Sequence, residues 1–210
     1  MTETEQPQLY LITPPEFDLN SFPAQLSAVL ETTDVACIRL ALATQDEDRI
    51  LRAADALREI AHAHDVAMVI DTHVMLAQRL GLDGVHLVDG ARSIRFARKT
   101  LGPEAIIGAY CGDSRHEGIN AAEAGADYIS FGPVGPNALG DGTLADTDLF
   151  QWWSEMIELP VVAEGALDDA TIRRLAHMTD FFAIGEEIWR QNDPVDALRV
   201  LMQGLSETAS

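Results

Sequence analysis

The chain has 210 residues, enough for one sizeable core, and its apolar content of 47% is ordinary for a soluble globular protein. The 34 acidic side chains against 14 basic leave a net charge of −20, spread along the chain, which repels a nucleic-acid backbone or an anionic membrane surface. No apolar run approaches a membrane span, the start MTETEQPQ lacks the basic and apolar regions of a secretory signal, and Cys37 and Cys111 make no metal framework, so a cytoplasmic protein is expected.

Short β-rich apolar runs alternate with helical patterns. Leu9–Thr13 is the first run and Ala36–Leu40 the second. An amphipathic helix follows over Asp46–His64, with Ile50, Ala53, Ala54, Leu57, Ile60 and Ala61 on one stripe. Asp46 is its predicted N-cap, and Arg49 and Arg52 point outward. The run Ala67–Asp71 leads into a shorter helix over Thr72–Gly81, terminated by its glycine. Gly84–Leu87 and Ile106–Ala109 are the next two runs, and Ser114–Gly125 is again helical. Tyr128–Phe131, Val161–Ala163 and Phe181–Ile184 complete the set of runs. Asp168 or Asp169 caps the helix that holds Ile172 and Leu175, and Pro194 opens the last helix after Asp193.

Near-continuous apolar strands have both faces buried, as in a parallel sheet flanked by helices. The phrases GLDGVHL (Gly81–Leu87) and AGADYISF (Ala124–Phe131) share one form: a glycine ends a helix, an Asp sits in the turn, and a strand follows. Eight such units in this length predict a single (βα)8 TIM barrel over 1–210, with 1–7 and 206–210 as disordered tails. A flavodoxin-like or Rossmann sheet would leave several runs unplaced, and no G-x-G-x-x-G follows the first run.

The series HL at His86–Leu87, IIGAY at Ile106–Tyr110, GADYISFGPVGP at Gly125–Pro136 and LPVVAEGAL at Leu159–Leu167 resembles the thiamine phosphate synthase and thiazole tautomerase superfamily. The resemblance is collinear over roughly residues 8–205, and GADYISFGPV is its most specific segment. It implies a barrel-shaped transferase of thiamine biosynthesis that couples hydroxymethylpyrimidine diphosphate with a thiazole phosphate. That reaction is dissociative. It needs cations and Mg²⁺ on the leaving diphosphate, and backbone N–H groups for the thiazole phosphate. Mg²⁺ is implied by the resemblance alone, and so is a homodimer.

The loops depart from the family's pattern. Where the synthases carry Gln-x-Arg-x-Lys, this chain has Arg39-Leu40-Ala41-Leu42-Ala43. The Asn-Asp pair is Asp71-Thr72, and His-Leu-Gly-Gln-x-Asp becomes His86-Leu87-Val88-Asp89-Gly90-Ala91, with Asp89 at the Gln position and Ala91 at the last. The family serine after the fifth strand is Tyr110, and Thr-x-Thr-Lys becomes Asn137-Ala138-Leu139-Gly140. Gly-Gly after the seventh strand is Gly165-Ala166, preceded by Glu164, and the eighth strand runs into Gly185-Glu186-Glu187. The one lysine, Lys99, falls on a helix. The tautomerase branch places His where Pro133 stands, which does not support that branch.

Candidate residues follow from these positions. Arg39 either binds an anionic ligand or pairs with Asp71 or Glu164. His86 is either a ligand contact and acid–base group or a satisfied structural histidine. Asp71 and Asp89 could together make a two-carboxylate cation site. Glu164, at a strand end, could bind a cation or an aminopyrimidine, or act as a base. Tyr110, Asn137, Gly165 and Gly185 line the expected ligand site. Asp113, Ser114 and His116 read as helix capping, and Trp152 and Trp153 as packing or a subunit contact. Three functions are open: a synthase with a rearranged site, a paralogue that binds a neutral or cationic thiamine-related small molecule without catalysis, or another reaction with Glu164 and His86 as acid and base.

Overall fold

A computed structural model describes residues 6–203 and 205. Its eight strands are β1 (Gln8–Ile12), β2 (Cys37–Leu40), β3 (Ala67–Asp71), β4 (Gly84–Leu87), β5 (Ile106–Tyr110), β6 (Tyr128–Phe131), β7 (Val161–Glu164) and β8 (Phe181–Ile184). All pairs are parallel, neighbours in sequence are neighbours in space, and β8 closes on β1. The predicted (βα)8 barrel is the observed one. The helices between strands are α1 (Phe22–Thr32), α2 (Glu47–Ala63), α3 (Val74–Leu80), α4 (Ile94–Leu101), α5 (Arg115–Ala124), α6 (Thr147–Met156) and α7 (Asp169–Leu175); α8 (Glu186–Trp189) and α9 (Pro194–Leu201) follow β8. Of the expected tails, 1–5 and 206–210 lie outside the described residues.

Part of the acidic complement has local structural work. Asp46, Asp146, Asp168 and Asp193 each accept backbone N–H bonds at a helix start. The Asp of the repeated helix-to-strand turn has a different task. Asp83 accepts the amide of Met68 at 2.7 Å, Asp127 that of Ile107 at 2.7 Å, and Asp180 that of Val161 at 2.8 Å. Each ties the turn before one strand to the first amides of the strand before it. These bonds fix the barrel's N-terminal rim, opposite the loops expected to carry chemistry.

One local expectation shifts. The helix expected from Thr72 starts at Val74, because Thr72 takes a left-handed φ of 56° and cannot be its first residue. Gly81 then ends α3 with φ 63°, as Gly125 ends α5 with φ 97°.

Most of the core lies between strands and helices, while a smaller cluster of Tyr10, Cys37, Val69, Tyr128, Val162 and Ala183 fills the barrel interior. Strand periodicity places the next inward residue two positions on. From Cys37, Val69, Tyr128 and Val162 those residues are Arg39, Asp71, Ser130 and Glu164. The interior therefore changes from apolar to polar one step below the C-terminal mouth.

Candidate ligand site at the barrel mouth

Arg39, His86, Ser130 and Glu164 are buried within this polar layer; Glu164 and His86 are each 1% exposed. Arg39 Nη2 donates to Glu164 Oε2 at 2.8 Å, and its Nη1 lies 3.5 Å from Oε1. Arg39 Nε is 3.4 Å from Asp71 Oδ1. Ser130 Oγ donates to Glu164 Oε1 at 2.5 Å. His86 Nε2 stands 4.0 Å from the same oxygen and has no hydrogen-bond partner. Both ion pairs weighed for Arg39 are thus present at once, and the guanidinium is part of the mouth's floor.

The electrostatics follow from burial. Loss of water by itself lowers the Arg39 pKa, but Glu164 and then Asp71 outweigh it and hold the guanidinium firmly charged. Burial raises the Asp71 carboxyl from 3.8 to about 6, with Arg39 opposing the rise and Glu164 adding to it. Burial, reinforced by Arg39, holds His86 well below its usual value, so the ring is neutral. Tyr10 and Tyr128 are pushed well above 10 by the same desolvation and stay protonated.

Above this floor opens a cavity of about 470 Å³. Four carboxylates line it, those of Asp71, Glu164, Glu186 and Glu187, against one guanidinium, that of Arg39. Asn137 and Leu139 line it from the loop after β6. Gly165 takes φ 87°, and a Cβ there would sit 2.9 Å from Pro133 Cα, so only glycine lets the loops after β6 and β7 meet. Ala166 is also left-handed, with φ 58°. This double turn brings the Leu167 amide to Glu187 Oε1 at 3.1 Å, while Glu187 Oε2 accepts the Gly185 amide at 2.8 Å. One carboxylate of the chain itself therefore spans the loops after β7 and β8.

The structure brings Arg39, Asp71, Glu164 and His86 together, with Asn137, Gly165 and Gly185 around the cavity above them. It does not join Asp71 to Asp89. Asp89 is exposed, accepts from Ser93 Oγ at 2.6 Å, and lines a separate hollow of about 600 Å³ beside α3 and α4. Asp71 lies beside Arg39 at the end of β3, and Asp89 lies exposed two residues beyond the end of β4. Among the described residues no three His, Cys, Asp or Glu side chains converge on a common point. Asp71 is engaged by Arg39 at 3.4 Å. Tyr110 donates to the Gly132 carbonyl at 2.7 Å and serves the loop after β6. Ser114 Oγ caps α5, Trp153 is wholly buried, and Arg115 lies 4.9 Å over the Trp152 ring. Ser130 escaped the sequence reading although it lies two residues beyond Tyr128 on the inward face; the run YISF reads as apolar, and only the alternation marks it. Glu187 reads in sequence as a repulsive carboxylate; its bond to Leu167, distant along the chain, carries no local signal.

Comparison with known proteins bears on this geometry. A family model described as thiamine monophosphate synthase matches residues 9–188. A thiamine-phosphate synthase of Rhodospirillum centenum is 41% identical over 184 residues, covering 87% of this chain and 89% of that protein. One from Erythrobacter litoralis is 39% identical over 196 residues, covering 90% and 92%. Among solved structures, thiamine phosphate pyrophosphorylase from Pyrococcus furiosus superposes with a TM-score of 0.83 at 24% identity, over 97% of each chain, a likeness of fold.

Proposed function

Because the chain belongs to the thiamine monophosphate synthase family, we propose that its barrel mouth binds a neutral or cationic thiamine-related small molecule in place of the family's diphosphate substrate. One observation carries this reading: the cation lining the mouth, Arg39, is already held by Glu164 at 2.8 Å and Asp71 at 3.4 Å. A diphosphate would have to take Arg39 from two carboxylates and then lie beside Glu186 and Glu187. A like pair of unit charges at 4 Å costs about 4 kcal/mol near a protein surface. Two amides that could offset part of such a cost, those of Gly185 and Leu167, are taken by Glu187. A ligand with amino and hydroxyl groups meets no such opposition, because carboxylates accept its donors.

The whole-protein charge supports the same class of partner. A net charge of −20 favours a small molecule over nucleic acid or an anionic lipid surface. Among the described residues no helix is long and apolar enough to cross a membrane. The family's setting supports a cytoplasmic protein; the buried Trp153 leaves no role for that residue in a homodimer contact.

A second reading has its own observation. His86 and Glu164, buried and 4.0 Å apart, have the residue types of an acid–base pair. Glu164 lines the cavity and His86 does not, so a bound ligand meets the carboxylate first.

The test is a thermal melt of the purified chain with thiamine, a hydroxymethyl aminopyrimidine or pyrophosphate, run beside a synthase assay with both family substrates and Mg²⁺. The first two ligands should raise the unfolding temperature, pyrophosphate should not, and no thiamine phosphate should form above background. Stabilisation by pyrophosphate alone, or steady product formation, would restore the ordinary synthase.

A further inference from the structure

Three polar side chains beneath Glu164 have no part in the mouth's lining. Tyr10 Oη and Tyr128 Oη are 2.6 Å apart, and Tyr128 Oη is 3.0 Å from His86 Nδ1. His86 Nε2 then faces Glu164 Oε1 at 4.0 Å. All are buried, so each proton in the row must be accounted for within the protein.

The row can run in two directions. In the first, Tyr10 donates to Tyr128, Tyr128 donates to His86 Nδ1, and the imidazole proton sits on Nε2, facing the carboxylate. In the second, His86 Nδ1–H donates to Tyr128 and Tyr128 donates to Tyr10. The Tyr10 hydroxyl then turns to the Cys37 sulfur, and the bare Nε2 lone pair faces Glu164. That arrangement sets two electron-rich atoms against each other. The first direction wins on this count, because it turns the Nε2 proton toward the carboxylate. The packing holds the rings in place: the His86 and Tyr128 planes lie 23° apart with centroids at 5.7 Å. A Cβ on Gly108 would come within 2.0 Å of Tyr128 Cζ, so the glycine makes room for this ring.

We infer that Tyr128, backed by Tyr10, is a positioning residue that fixes His86 as the neutral Nε2–H tautomer, a donor held in reserve for Glu164. The reserve is called on when a ring nitrogen or hydroxyl of a ligand draws the Arg39 guanidinium upward. Glu164 then loses a donor, and a small shift of His86 closes the 4.0 Å gap. The reserve role rests on the mouth being the ligand site; the tautomer does not.

Nitrogen-15 NMR of histidine-labelled full-length chain, with His86→Asn for assignment, tests both halves. At neutral pH the ligand-free protein should show His86 as one tautomer with its proton on Nε2; a proton on Nδ1 overturns the inference without any variant. Tyr128→Phe, checked for folding by its thermal melt, should lose that single state and show both tautomers. An unchanged Nε2–H signal in Tyr128→Phe would remove the positioning role. In thiamine-saturated protein the Nε2-bound proton should move downfield; a static signal would remove the reserve role. Absence of any thiamine binding would strike the proposed ligand class instead, leaving the tautomer result standing.

Discussion

Replacing Glu164 by Gln removes the charge that holds the floor of the mouth together. The side chain keeps its shape, but one oxygen becomes an NH₂ facing donors. Arg39 and Glu164 are 6% and 1% exposed, and their contact is 2.8 Å. Breaking a buried pair from one side costs about 3–5 kcal/mol, against roughly 0–1 kcal/mol for an exposed pair, because the remaining charge is uncompensated. Asp71 stays 3.4 Å from Arg39 and limits the damage. Ser130 loses an ionised acceptor, whose hydrogen bond is worth about 1.5–3 kcal/mol against about 1 kcal/mol for a neutral one. The expected loss for E164Q is about 3–4 kcal/mol, a fall of roughly 6–16 °C in unfolding temperature for a domain of this size. Urea unfolding followed by circular dichroism should show a lower midpoint with an unchanged slope. The double variant Arg39→Met with Glu164→Leu should recover much of the loss, since no cation is then stranded. A loss under about 1 kcal/mol, or a double variant as costly as its two singles summed, would refute the view of a coupled buried pair.

Two further predictions follow from the same cluster. Asp71 has its carboxyl raised from 3.8 to about 6, so between those values the folded chain holds a proton the unfolded chain releases. Its contribution is present in full below about pH 4 and is lost as pH rises through 6; relative to wild type, Asp71→Asn should therefore gain stability from pH 4 to 7. A urea-midpoint difference that stays flat across that range would contradict the shift. Glu187→Ala should free the Gly185 and Leu167 amides, so that millimolar inorganic phosphate raises its unfolding temperature and leaves wild type unmoved. Equal phosphate response in the two proteins would show that Glu187 does not exclude anions.

Several features of this protein were fixed by the sequence alone, because each is local. Apolar runs buried on both faces give β1 to β8, and the repeated glycine–Asp turn gives their parallel order. Asp46, Ser114, Asp168 and Asp193 cap helices because a short oxygen-bearing side chain at that position reaches the free amides. The family, too, was legible in GADYISFGPV, since strand ends and tight loops tolerate few residues. What the candidate residues do to one another was decided only by closing the barrel. That closure brings Arg39 and Glu164, 125 positions apart, within 2.8 Å, and Tyr10 and Tyr128, 118 positions apart, within 2.6 Å. It also sets Asp71, the last residue of β3, against Arg39, while Asp89, two residues beyond β4, stays exposed. Pattern along a chain specifies which face a side chain takes; only the closed, dry interior specifies which charge it must share that face with.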